Sequence, residues 1–127
     1  MSTVSATTSK AYVGKTTLVP WKEYPGHFRG ALSKALVSES LVGTRKLDFR
    51  ISHYQPMAWV EDHVHAVQEQ VYFVLDGEGL LTLDGVEHHL GRHDYVWIPP
   101  GVRHSFVSCG LSPLIFLVLS SPSDDEP

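Results

Sequence analysis

The stretch EDHVHAVQEQVYFVLDG, residues 61–77, decides the fold of this 127-residue chain. His63 and His65 are two positions apart, so on a β-strand both imidazole rings project from the same face. A second stretch, IPPGVRH at residues 98–104, adds His104. Two imidazoles from one strand and a third from a neighbouring strand can bind one metal ion and leave positions open for water or substrate. The spacing therefore predicts a metal site on a β-sheet.

Short strands surround this stretch. From Thr44 onward, apolar and polar residues alternate with the period of two that half-buried strands show, as in Leu47, Phe49 and Ile51. The pair Asp84-Gly85 separates two such runs and favours a type I′ hairpin, which needs positive φ at both positions. The segment 31–36 reads as a short helix or as the start of a strand. These patterns predict an all-β fold, a small antiparallel β-barrel or jelly roll with short helices or none.

Composition narrows the classes of function. The chain has 14 acidic and 10 basic residues and no Lys/Arg cluster, which argues against a nucleic-acid partner. Its longest apolar run, residues 114–119, falls far short of the roughly 20 residues that span a bilayer. A single cysteine and an amino terminus without an apolar leader favour the cytoplasm. The polar ends predict a flexible tail at residues 1–10 and a flexible acidic tail at 120–127, around one domain at 11–119.

A candidate fourth metal ligand follows the histidine pair. The strand register that continues through Tyr72 places Gln70, rather than Glu69, on the same face as Tyr72. A glutamine ligand leaves the full 2+ charge on the metal, whereas a glutamate removes one unit. Imidazole and amide oxygen suit Zn, Ni, Fe, Mn or Co, so we predict a divalent transition metal as cofactor. Its predicted ligands are His63, His65, Gln70 and His104.

Residues 57–108 resemble the two motifs of the cupin superfamily. The first motif, G-x5-H-x-H-x(3,4)-E-x6-G, is matched from Met57 to Gly77, with Gln70 at the glutamate position. Glu69 takes that position if the variable spacer is one residue shorter. The second motif, G-x5-P-x-G-x2-H-x3-N, is matched from His93 to Ser108. The departures are Met57 and His93 at motif glycines, Gln70 at the glutamate and Ser108 at the asparagine.

The resemblance implies a set of functions rather than one. Cupins of this size include dioxygenases, isomerases, lyases, decarboxylases and polyketide cyclases. We predict a metal-dependent oxygenase or lyase/isomerase that acts on a small carbonyl, enol or phenolic compound, with the metal as Lewis acid or O2-activating centre. A non-catalytic cupin that binds a small ligand or a metal and a polyketide-cyclase-like enzyme are the alternatives. Small cupins commonly pair through an edge strand, so we also expect a homodimer.

Residues on the same face as the ligands are candidates for the substrate pocket. Tyr72 follows Gln70 by two positions and Phe106 follows His104 by two, so both are predicted to point into the barrel. Arg50 would place a cation near the metal, and such a cation would suit an anionic substrate. The full set of pocket candidates is Arg50, Trp59, Tyr72, Trp97, Phe106 and Phe116. For proton transfer the candidates are Tyr72 and Glu69.

Overall fold

The structure is a computed structural model that describes residues 4–5 and 10–126. Its strands are β1 (Val4–Ser5), β2 (Val13–Gly14), β3 (His27–Phe28), β4 (Ala31–Val37), β5 (Asp48–Tyr54), β6 (Trp59–His63), β7 (Glu69–Asp76), β8 (Gly79–Leu83), β9 (Val86–Leu90), β10 (Tyr95–Ile98), β11 (His104–Ser108) and β12 (Leu114–Ser121). Its helical segments are a 3₁₀ helix (Thr16–Leu18) and one turn of α-helix, α1 (Glu39–Val42). The ambiguous segment 31–36 is thus a strand. No helix in the described ranges is long and apolar enough to cross a membrane.

The strands assemble into two five-stranded antiparallel sheets. The first sheet has the order β10-β7-β12-β5-β4, and the second has the order β3-β6-β11-β8-β9. β1 and β2 form a separate two-stranded pair. Neighbours such as β7 and β12 are distant in sequence, as expected where the chain alternates between two layers. The predicted all-β jelly roll with short helices is confirmed.

The core lies between the two sheets and is rich in aromatic rings. Phe116 of β12 meets Tyr54 of β5 and Phe106 of β11 edge to face, with 5.0 Å between ring centroids in both pairs. All three side chains are at most 2% exposed. Burying each such ring stabilises the fold by about 1.5–3 kcal/mol. The strand period of two decides which residues enter this layer, and β7 therefore buries Gln70, Tyr72 and Val74 while their neighbours face outward.

Two turns show why particular residues are needed. Asp84 and Gly85 have φ values of 47° and 81°, which confirms the predicted positive φ at both positions between β8 and β9. Gly77 has φ 80°, and a Cβ at that position would collide with the backbone of Pro113 and Leu114. Only glycine therefore fits at the final position of the first motif, where the chain leaves β7.

The two predicted tails have different outcomes. The amino-terminal tail, 1–10, lies mostly outside the described residues. Within it Val4–Ser5 pairs with Val13–Gly14. The boundary predicted for the tail at 120–127 is wrong, because β12 continues to Ser121, and in the described part of the segment the Asp125 carboxylate accepts three backbone hydrogen bonds from residues 66–68. Those hydrogen bonds hold the polar carboxyl-terminal segment against the fold.

Candidate metal centre

Three histidines meet where β6 and β11 run side by side. His63 is the last residue of β6 and pairs directly with His104, the first residue of β11. His65 lies two residues beyond the end of β6, so it is in a loop rather than on the strand as predicted. One ligand nitrogen from each ring lies within 4.8 Å of the other two. The predicted trio is therefore brought together, with one member held by a loop.

The Nδ1 atoms of two of these rings point away from the cluster. Nδ1 of His63 lies 2.7 Å from the carbonyl oxygen of Glu61, and Nδ1 of His104 lies 2.9 Å from that of Val102. A carbonyl only accepts hydrogen bonds, so each Nδ1 carries the proton and each Nε2 has a free lone pair. This is the orientation that metal-ligating histidines adopt.

Gln70 completes the cluster from β7. Its Nε2 donates to Ser120 Oγ at 3.0 Å, and this turns its Oε1 toward the histidines. That Oε1 lies 3.0 Å from Nε2 of His104, so an oxygen lone pair faces a nitrogen lone pair. In this orientation of the amide two acceptors face each other, and a cation bound to both atoms would stabilise the arrangement. Nε2 of His65 is also buried and has no hydrogen-bond partner among the described residues. The donor atoms therefore fit a divalent transition metal bound by three imidazoles and one amide oxygen.

Burial favours the neutral form of two of the imidazoles, His104 and His65. It lowers the pKa of His104 to about 4, with an opposing contribution from the Val102 carbonyl and further lowering by His63 and His65. Burial also lowers the pKa of His65, followed by repulsion from His63, while Asp125 acts in the opposite direction. A neutral imidazole is the form that binds metal, so no proton has to leave these two rings at neutral pH.

A cavity of about 360 Å³ opens beside the cluster. Arg50 lies in its wall, where Nε and Nη2 donate to the two carboxylate oxygens of Asp48 at 2.7 and 3.2 Å. The guanidinium group also lies 4.4 Å above the ring of Tyr24. Its positive charge is therefore largely compensated before any ligand enters. The other residues around the cavity include His27, Ser33, Tyr54, Val60, Glu61, His63, His65, Gln68, Gln70, Tyr72, Ser120 and Ser123.

Comparison with known proteins agrees with this geometry. A family profile described as "Cupin domain" matches residues 50–120, more than half of the chain. The chain belongs to the cupin family. It is similar to an uncharacterized protein of Methanocaldococcus jannaschii, 37% identical over 60 residues that cover 47% of this chain and 48% of that protein. The match thus spans about half of that relative's length.

Two further relatives have names that refer to polyketides. The tetracenomycin polyketide synthase protein TcmJ of Streptomyces glaucescens is 24% identical over 103 residues, which cover 81% of this cupin and 69% of that protein. The solved structure of the polyketide cyclase RemF from Streptomyces resistomycificus superposes with a TM-score of 0.75 at 24% identity. The superposition covers 87% of this cupin and 78% of the RemF chain. At this level of identity the structural likeness shows the fold alone.

The cupin motif positions that depart in residue type keep the backbone that the motif needs. Met57 and His93 stand at motif glycines and have φ values of 72° and 71°. This left-handed conformation strains any residue with a Cβ, typically by about 1–2 kcal/mol. Ser108, at the motif asparagine, is fully buried, and within the described part of the chain its Oγ has no hydrogen-bond partner. The fold therefore tolerates these three substitutions without changing its course.

Several predicted pocket residues lie elsewhere. Trp59 is 38% exposed and packs on Phe28 outside the sheet, and Trp97 is 59% exposed on the edge strand β10. Their placement in the pocket is wrong, because Val60 and Ile98 point inward and the strand period turns their neighbours outward.

Three other candidates also lie away from the cavity. Glu69 faces outward and accepts a hydrogen bond from Trp97 Nε1 at 3.0 Å. The prediction that it transfers protons at the metal centre is therefore wrong. Phe106 and Phe116 point inward as expected, but they form the core rather than the cavity wall. Arg50 and Tyr72 are the two pocket candidates that line the cavity.

Some residues around the cavity were not identified from the sequence. His27 lies on the two-residue strand β3, which has no periodicity to indicate its face. Burial lowers the pKa of His27, and its Nδ1 lies 3.0 Å from the Pro25 carbonyl oxygen, so its Nε2 is a free acceptor. Asp48 did have a signal, because it precedes Arg50 by two positions and therefore shares its face of β5. Asp125 had none.

Proposed function

We propose that this cupin is a metal-dependent enzyme that acts on a small compound bearing carbonyl, enol or phenolic oxygens. The observation that carries the proposal is the contact between His104 Nε2 and Gln70 Oε1, two acceptors 3.0 Å apart beside the unpartnered Nε2 of His65. His65 and Gln70 line a cavity large enough for a small organic substrate. A bound Zn, Ni, Fe, Mn or Co ion would supply a Lewis acid or, for a redox metal, a centre for O2 chemistry.

The charges around the cavity favour a substrate with little negative charge. Asp48 binds Arg50 through both carboxylate oxygens, and Glu61 adds a further acidic group to the wall. Because three imidazoles and one amide are all neutral ligands, a divalent metal would keep its full charge and could bind one ionised oxygen of the substrate. Multiply charged anions such as sugar phosphates would find no uncompensated side-chain cation among the residues that line the cavity. A phenol, an enol or a 1,3-dicarbonyl compound fits this balance better.

The residues of the chain divide into those that hold a proton and those that can accept one. Burial raises the pKa of Tyr72, so its hydroxyl stays protonated and points toward Gln70 Oε1 at 3.5 Å. His27 is kept neutral by burial, and its free Nε2 makes it the better general base. Tyr72 then positions the side-chain amide of Gln70. His27 can take a proton from a substrate hydroxyl or an acidic C–H group.

Polyketide-derived phenols are the substrate class that we favour within this proposal. The support comes from the name of one sequence relative, the tetracenomycin polyketide synthase protein TcmJ. Polyketides carry alternating carbonyl and enol oxygens, which suit a metal with open positions. The expected homodimer and cytoplasmic location stay predictions.

The test is turnover before and after metal exchange. The protein is stripped with a chelator, reloaded with each of the five metals, and assayed against a 1,3-diketone, a catechol, a polyhydroxylated naphthalene, oxalate and a sugar phosphate. We expect activity on at least one of the first three that disappears with the chelator and returns with metal. Absence of metal-dependent turnover, with ligands still raising the melting temperature, would establish a binding protein instead.

A further inference from the structure

The three histidines of the candidate centre are oriented in two different ways. His63 and His104 each place Nδ1 against the carbonyl oxygen of the residue two positions earlier, so their own chain segment sets the ring. His65 instead pairs with the carboxylate of Asp125, 60 positions later in the chain. We infer that Asp125 is a positioning residue of the metal centre, which holds the loop of His65 and directs the ring's Nε2 toward the other two histidines. This inference rests on the proposed metal site.

Asp125 binds the loop between β6 and β7 through its backbone. Oδ2 accepts from the N–H of Ala66 at 2.9 Å, and Oδ1 accepts from Val67 at 2.8 Å and Gln68 at 2.9 Å. A carboxylate that accepts three N–H groups fixes the path of the loop, because each bond to a charged acceptor is stronger than a neutral one. The side chain of Gln68 adds a bond to the Pro122 carbonyl oxygen at 3.0 Å.

The same carboxylate also faces the ring of His65. Its Oδ2 lies 3.7 Å from Nδ1, on the opposite side of the ring from the buried, unpartnered Nε2. A carboxylate at Nδ1 favours the tautomer with the proton on Nδ1 and increases the basicity of Nε2. At 3.7 Å this contact is longer than the 2.7 and 2.9 Å contacts of the other two rings, so Asp125 orients His65 by the attraction between its carboxylate and the Nδ1–H group rather than by a short hydrogen bond.

Asp124 offers a matched control for the charge. It is adjacent to Asp125, carries the same charge, and its carboxylate accepts only from the N–H of Glu126 among the described residues. Asp125→Asn and Asp124→Asn thus remove one negative charge from nearly the same place. Only the first removes a carboxylate from the loop and from His65.

The experiment has two readouts on the full chain. Zinc affinity is measured by competition with a chromophoric chelator, and the tautomer of His65 in the metal-free protein is measured from imidazole ¹⁵N shifts. In the parent protein we expect the proton on Nδ1. Asp125→Asn should give a mixture of tautomers and about tenfold weaker zinc binding, whereas Asp124→Asn should change the affinity less than twofold.

Each contrary result is distinct. A parent protein with the His65 proton on Nε2 would overturn the inference without any variant. So would an Asp125→Asn protein whose residues 66–68 become mobile while His65 keeps one tautomer and the zinc affinity is unchanged, because Asp125 would then be purely structural. If Asp125→Asn does not fold, Asp125→Glu must retain the Nδ1 tautomer. Failure of the parent protein to bind any metal, with the tautomer still dependent on Asp125, would remove the proposed function and leave the positioning role.

Discussion

The strands that carry His63 and His104 and the segment after β12 serve the same centre but are specified in different ways. The strand histidines are visible in the sequence, since His63 belongs to a His-x-His pattern and a Pro-Pro-Gly turn precedes His104. The segment 122–126 has the composition of a solvated tail, yet its Asp125 binds a loop almost sixty residues away. Local periodicity therefore reports a site, while the contacts that close it depend on the assembled fold.

The largest effect is expected from the strand histidines. His104→Ala should abolish stoichiometric metal binding and raise the Kd by more than about 100-fold, because even loss of an outer partner costs 10- to 100-fold. Metal analysis after dialysis against a weak chelator measures this. His53→Ala is the control, since His53 packs against Trp21, with the ring planes tilted by 59°, away from the centre. Retention of one equivalent of metal by His104→Ala would rule out this ligand set.

The carboxyl-terminal segment should have the next largest effect. A chain that ends at Ser121 leaves three backbone N–H groups of residues 66–68 without their acceptor. We expect its free energy of unfolding to fall by about 2 kcal/mol, as measured by urea denaturation. A chain that ends at Asp125 keeps the carboxylate and should match the full-length protein. Equal stability of both shortened chains would mean that the segment is a tail after all.

A smaller effect, of opposite sign, is expected at a motif position. His93→Gly should raise the free energy of unfolding by about 1 kcal/mol, since glycine adopts φ 71° without strain. The control is His88→Gly, because His88 is an exposed residue in the middle of β9 and glycine there should destabilise the strand. Thermal and urea unfolding distinguish the two. Destabilisation by His93→Gly would show that the ring contact with Phe73 outweighs the backbone strain.

The smallest effect tests the strand register. Glu69→Gln removes a carboxylate that faces outward toward Trp97, so the metal Kd should change less than twofold. Gln70→Ala, one position along, should weaken metal binding about tenfold, because it removes the oxygen next to His104. Titration of both variants with the same metal measures the difference. A large loss with Glu69→Gln would place the fourth ligand at Glu69.

The sequence predicted the architecture and the inward-facing residues of the strands, and the physical reason is periodicity. Once Tyr72 is known to face inward, Gln70 must do so as well and Glu69 must not. The errors at Trp59 and Trp97 arose from residue type, because large aromatic side chains also occupy the outer faces of this jelly roll. The same period of two, applied from Val60 and Ile98, would have placed both tryptophans outside.

The remaining features could not be predicted because they depend on contacts between distant segments. β3 is two residues long, so His27 reaches the cavity through the pairing of β3 with β6 rather than through any pattern of its own. Asp125 is one of several acidic residues near the carboxyl terminus, and nothing local distinguishes it from Asp124. Its role appears only when the loop that follows β6 is in place.

The left-handed residues Met57 and His93 bear on how further cupins can be recognised in genomes. At these two positions, where the motif is written with glycine, this chain adopts positive φ with other residues. A search pattern that requires glycine there would reject this chain and others like it. Gly77 is different, since a side chain would strike the backbone of Pro113. A pattern that weights Gly77 and the histidine spacing, and leaves the other two positions free, should detect more divergent members.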